Sequence, residues 1–129
     1  MRYAALVVDD QGVLRVGGGP VPPDGVAALI ARARAAGLRT AVLSNADRAD
    51  PALRDLVDEV VVSGETGVAK PDVAAFAGCA RRLGVEPHQC VLVDDHPANA
   101  RGAAAAGMTG VLHRSDAETA AELGVLLDL

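Results

Sequence analysis

Short runs of Val, Leu, Ile and Ala recur along the chain, separated by longer stretches in which apolar positions return every three or four residues. An unbroken apolar run predicts a strand buried on both faces, as in a parallel sheet, because a strand with one wet face would alternate. Such runs lie near 3–8, 39–43, 59–62, 90–93 and 109–112. The intervals predict helices. The first, near 24–36, carries Leu29, Ile30 and Ala33 on one face and has Gly37 as its stop; the second, near 51–57, opens with Asp50 as cap and Pro51 at the first helical position. Helices near 72–83 and 97–106 stop at Gly84 and Gly107, and Ser115 with Glu118 has capping-box spacing before a last helix. Regular alternation of strand and helix predicts an α/β fold: one Rossmann-like, doubly wound parallel sheet of about five strands, with 1–129 as a single domain.

The polar residues that interrupt this pattern fall at particular places. The first strand runs into Asp9, Asp10, Gln11 and Gly12, the second into Ser44 and Asn45, and the fourth into Asp94, Asp95 and His96, while Lys70 precedes the helix after the third. In a doubly wound sheet these carboxyl ends share one edge, where ligands bind. Carboxylates at the end of a buried strand cost desolvation and mutual repulsion unless a proton or cation offsets them, and a divalent metal is the simplest offset. The set suits a metal-bound phosphoryl group: hydroxyl and backbone donors for its oxygens, Lys for its charge, carboxylates for Mg²⁺, and one carboxylate as nucleophile. Gln11 stands where a second catalytic acid would be most useful, and its amide cannot transfer a proton.

Composition narrows the partners. The chain has 129 residues, half of them hydrophobic but only 2% aromatic, so it lacks a platform for stacking bases. Its net charge is −5, and Lys occurs only at Lys70, which argues against nucleic acid and against an anionic membrane surface. No window approaches the ~20 apolar residues of a membrane span, and no basic segment leads into a long apolar stretch, so the expectation is a soluble, cytoplasmic protein. Cys79 and Cys90 lack Cys or His neighbours at zinc spacing and read as reduced, packed thiols.

Plainer readings stand beside these. Ser44-Asn45 reads equally as a capping turn, and Lys70 by itself as a surface lysine. His96 has three readings: metal ligand, proton relay in place of the missing acid, or exposed loop histidine, the last being the commonest for such a residue. Asn99 either orients Asp95 or faces solvent. His88 and His113 have no recognisable setting, and Val16–Pro23, with its three glycines, reads as a flap or a plain turn without P-loop spacing.

Four segments, in order, resemble the haloacid dehalogenase-like superfamily: Leu6-Val7-Val8-Asp9-Asp10-Gln11-Gly12-Val13, Ala41-Val42-Leu43-Ser44-Asn45, Gly67-Val68-Ala69-Lys70-Pro71-Asp72, and Val91-Leu92-Val93-Asp94-Asp95. The resemblance implies that Asp9 is a nucleophile forming an aspartyl-phosphate and a ligand of Mg²⁺. Ser44 and Asn45 would face the substrate, and Lys70 would stabilise nucleophile and phosphate. Asp95 would be the direct acidic metal ligand, with Asp94 its neighbour outside it and the Gln11 carbonyl a further ligand. At the Gln11 position the family's phosphatases carry an Asp that serves as general acid and base, worth ~10²–10⁴ in rate or about 3–5 kcal/mol of barrier. The implied activity is therefore a slow or specialised phosphatase-type hydrolase; the alternative is a catalytically silent relative that binds a phosphorylated ligand or a protein. The family's inserted cap also has no room here, since nine residues, Arg15–Pro23, follow the first motif and Asn45–Lys70 is taken up by one helix and one strand. An open site fits a phosphorylated small molecule, an accessible phosphorylated macromolecule, or a homodimer that covers it. A signalling receiver domain shares the acidic pair and the Lys-Pro but has them in a different order along the chain.

Overall fold

The computed structural model describes residues 2–129. Five strands, β1 (Ala5–Val8), β2 (Arg39–Ser44), β3 (Glu59–Val62), β4 (Cys90–Asp94) and β5 (Thr109–Leu112), form one sheet in the order β3-β2-β1-β4-β5, all parallel. All five occur where apolar runs were expected. In receiver domains the order is 2-1-3-4-5, with the third strand beside the first. Here β1 lies between β2 and β4, with Val8 opposite both Val42 and Val93, so the receiver arrangement is excluded. The same register puts the residues after β1, β2 and β4 at one edge.

The helices are α1 (Val26–Ala35), α2 (Ser63–Thr66), α3 (Val73–Leu83), α4 (Pro97–Ala105) and α5 (Asp116–Leu127). Asp72 caps α3 by accepting from the Ala74 amide, and Ser115 caps α5 by accepting from Glu118. The expected helix near 51–57 is corrected to a single 3₁₀ turn, Pro51–Leu53. Asp50 does cap it, but the chain is drawn off the helical path at its far end. The Asp58 amide donates to the Thr40 carbonyl, and Asp58 Oδ2 accepts from the Thr40 amide and hydroxyl, which feeds the segment straight into β3. The short α2 was not expected, because four residues carry too little periodicity to register.

Alternate residues of each strand enter two cores. Leu6, Val8, Val42, Val91 and Val93 pack with α1 and α5, against Ile30, Leu123 and Leu127. Ala5, Val7, Ala41, Leu43 and Leu92 pack with α3 and α4, against Phe76, Cys79 and Ala103. Small residues let α4 lie close: a Cβ on Gly102 would come within 2.6 Å of the Pro71 carbonyl. That approach seats the second half of α4 against the Lys70–Pro71 loop. Between β1 and α1, and again between β2 and Lys70, the chain holds no inserted domain. No helix among the described residues is long and apolar enough to cross a membrane.

Candidate active site

β1 is apolar on both faces, so the chain can turn polar only where the sheet ends, at Asp9. Its side chain is 10% exposed, and Oδ1 accepts from Lys70 Nζ at 3.0 Å. Lys70 Nζ also donates to Asp94 Oδ2 at 2.7 Å and to the Leu43 carbonyl at 2.6 Å, so three strands meet on one ammonium. Asn45 fixes the lysine's backbone: its amide donates to the Lys70 carbonyl and accepts from the Lys70 amide, each at 2.9 Å. The only lysine is thus a buried strut. Asp94 is fully buried and satisfied, its Oδ1 by the His96 amide at 3.0 Å and its Oδ2 by Lys70 and by Asn99 Nδ2 at 3.1 Å. Asn99 therefore orients Asp94 and not Asp95, and it is buried, not solvent-facing.

Asp95 is placed differently. Its Oδ1 is buried without a hydrogen-bond partner, and its Oδ2 lies against Gly12, where a Cβ would come within 2.2 Å. Gly12 has φ +87°, open to glycine at little cost. Donor atoms of Asp9, Asp94, Asp95 and His96 lie within 4.8 Å of one another. Three carboxylates cluster there beside a single ammonium, which pairs with only two of them, and burial pushes the Asp9 carboxyl above its ordinary value despite Lys70, with Asp94 adding to the rise. A deficit of positive charge, an orphaned carboxylate oxygen and a donor set dominated by hard oxygens fit a divalent cation such as Mg²⁺.

Asp10, adjacent in sequence, has another role. The second carboxylate of the pair turns away and is held by the Arg15 guanidinium through Nε and Nη2, each at 2.9 Å. Arg15 also reaches Asp50 at 2.8 Å and the Gly19 carbonyl at 3.3 Å, tying the loop after β1 to the loop after β2. Sequence reading missed this clamp, although an Arg five residues after the acidic pair was the available signal. Gln11 is exposed and lines a pocket of ≈ 560 Å³ together with Asp9, Ser44, Asn45, Ala46, Lys70, His96 and Asn99. Ser44 Oγ accepts from the Ala46 amide at 3.2 Å, the turn role, which leaves its hydroxyl proton available to donate. His96 is exposed, as the commonest of its three readings has it, and its side chain also lines this pocket.

Two features lie outside the pocket. His113 bonds the Thr119 hydroxyl through Nδ1 at 2.6 Å and fastens β5 to α5. A second hollow of ≈ 370 Å³ lies under α3, lined by residues including Leu43, Val61 and Cys79; it has no carboxylate, and burial pushes the Cys79 thiol up to about 12, far from a nucleophile.

The profile of the haloacid dehalogenase-like hydrolase family matches residues 3–107. A phosphatase of Mycobacterium tuberculosis is 41% identical over 78 residues, which is 60% of this chain and 35% of that protein. A glyceraldehyde 3-phosphate phosphatase of Methanopyrus kandleri is 50% identical over 54 residues, 41% of this chain and 23% of that protein. The chain thus spans about a third or less of the length of these curated relatives. Among solved structures, an uncharacterized protein from Corynebacterium glutamicum aligns with TM-score 0.88 and 36% identity, covering 98% of this chain and 96% of that one.

Proposed function

Because the chain belongs to the haloacid dehalogenase-like hydrolase family, we propose that it is a Mg²⁺-dependent phosphatase-type hydrolase acting through an aspartyl-phosphate on Asp9, and that Gln11 makes it slow or specialised. The observation that carries this reading is the Asp9 carboxylate, fixed by Lys70 against Asp94 and opening onto the pocket beside Ser44. Residues 1–129 form a single core domain without a cap in this reading.

Asp9 attacks the phosphorus of a monoester, and the bond from phosphorus to the leaving oxygen breaks. Ser44 donates a hydrogen bond from its hydroxyl to a phosphoryl oxygen, and the Lys70 ammonium balances the charge shared between Asp9 and the phosphoryl group. The departing oxygen takes its proton from water, because the Gln11 amide is far too weak an acid to supply one. A water molecule then attacks phosphorus, the bond to Asp9 breaks, and inorganic phosphate leaves while the proton passes to solvent. Asp9, Asp95 and the Gln11 carbonyl would hold Mg²⁺, with Asp94 behind them; when bound, it supplies positive charge to the phosphoryl oxygens.

Without an acid at Gln11, substrates with weakly basic leaving groups should turn over best. The open pocket admits a phosphorylated small molecule or an exposed phosphate of a macromolecule, and a homodimer could cover it. The experiment is a metal-dependent screen comparing aryl and alkyl phosphates on wild type, Asp9→Asn and Gln11→Asp. Aryl turnover should vanish in Asp9→Asn, and alkyl turnover should rise ~10²-fold in Gln11→Asp. Turnover that survives Asp9→Asn would overturn the mechanism.

A further inference from the structure

We propose that the His96 imidazole is itself a donor to the divalent ion, and that it shifts the site's preference from Mg²⁺ toward Mn²⁺, Co²⁺ and Ni²⁺. This rests on the metal reading above and concerns the residue that follows the acidic pair after β4. The backbone of His96 is fixed on both sides. Its amide donates to Asp94 Oδ1 at 3.0 Å, and Pro97, which opens α4, confines it to an extended conformation at φ −97°, ψ 119°. Only the ring can turn, and it is turned inward, with Nδ1 3.1 Å from Asp95 Oδ1 and 3.5 Å from Asp94 Oδ1.

At 3.1 Å a nitrogen and a carboxylate oxygen would ordinarily share a hydrogen bond. Here the geometry supports none, and Asp95 Oδ1 stays buried and unpartnered. Two lone-pair donors facing one another at that spacing are what a shared cation produces: adjacent ligands on an octahedral ion with bonds of ~2.1 Å lie ~3.0 Å apart. The ring forms no other hydrogen bond among the described residues. The side chain is 67% exposed, and Nδ1 is the ring nitrogen that faces the acids.

The preference follows from donor chemistry. Mg²⁺ binds oxygen and sheds water reluctantly, so a nitrogen ligand gains it little. Imidazole strengthens binding of first-row ions in the order Mn²⁺ < Co²⁺ < Ni²⁺, so the same nitrogen raises their affinity relative to an all-oxygen site.

The test uses the full chain with metal alone, as wild type, His96→Ala and His88→Ala; His88 is an exposed histidine preceding β4 and serves as the control. Pulsed electron paramagnetic resonance of bound Mn²⁺ should show coupling to one imidazole nitrogen in wild type and His88→Ala, and none in His96→Ala. Calorimetric titration should show Co²⁺ binding about tenfold weaker in His96→Ala, with Mg²⁺ changed less than about threefold. Mn²⁺ that binds wild type without nitrogen coupling, or coupling that survives in His96→Ala, overturns the inference and leaves the Mg²⁺ phosphatase reading standing. Failure of wild type to bind either Mg²⁺ or Mn²⁺ overturns both.

Discussion

Gly12 shows how closely single residues fit this site. Any side chain there must adopt φ +87° and also push into Asp95 Oδ2, so two costs fall on one position. Gly12→Ala is expected to lose about 1–3 kcal/mol of stability from backbone strain and to weaken Mg²⁺ binding as Asp95 is displaced, measured by denaturant unfolding and calorimetry. Lys70 is the opposite case, a residue whose removal leaves charges behind. Lys70→Met strands Asp9 and Asp94 against each other and should cost about 3–5 kcal/mol in chelator, part of it recovered when Mg²⁺ is added. Asp9 and Asp95 could be singled out from sequence because each follows an apolar strand at the shared sheet edge, and Lys70 because it is the one lysine and precedes the helix after the third strand. The partner of Asp10 could not be, because Arg15 also needs Asp50, 35 residues away, and only the fold brings those loops together. Neither reading of Asn99, facing Asp95 or facing solvent, fits its bond to Asp94, for a similar reason: which acid a helix's first turn faces is set by the docking of α4, not by spacing.

At the scale of elements, what could be read depended on whether burial or a single hydrogen bond decided the structure. Strands buried on both faces spell themselves out as apolar runs, and α3 and α5 carry their caps in sequence. The segment after Asp50 looks helical locally, yet Asp58 commits it to the sheet through Thr40. That contact has a pH signature. Burial opposes ionisation of Asp58, but the Thr40 hydrogen bonds, with Arg39 and Arg34 nearby, outweigh it and hold the carboxyl below its ordinary value of 3.8. A lowered pKa stabilises the fold above the ordinary value, and the contribution is lost as pH falls through the folded one. Asp58→Asn should therefore unfold at lower temperature than wild type at neutral pH, and the gap should close on acidification below 3.8. A gap independent of pH would mean that the contact acts by shape alone. The Arg15 clamp is a second such joint. Arg15→Lys keeps the charge but loses the two-pronged grip on Asp10, and is expected to cost about 1–3 kcal/mol in denaturant unfolding.

For the whole molecule, the sheet edge places stability and activity in opposition. Packing three strand ends around one lysine fixes the Asp9 carboxylate in position, but it also gathers more negative than positive charge under partial burial. The raised pKa of Asp9 has a definite sign: a carboxyl shifted upward on folding favours the folded state while protonated, and that advantage is gone once pH exceeds the folded value. At neutral pH and without metal, the ionised Asp9 is then a net burden on the fold. Asp9→Asn keeps the shape, lets Lys70 retain its bonds to Asp94 and the Leu43 carbonyl, and removes the surplus charge. In chelator the variant is expected to melt above wild type by a few degrees, the equivalent of about 1 kcal/mol. Mg²⁺ at a hundred times its dissociation constant should then stabilise wild type by about 2.7 kcal/mol, and Asp9→Asn, lacking one of the proposed ligands, by much less. The order of melting temperatures should therefore invert when metal is added. If wild type melts higher with and without Mg²⁺, Asp9 is an ordinary stabilising ion pair, and the charge deficit assigned to this edge of the sheet does not exist.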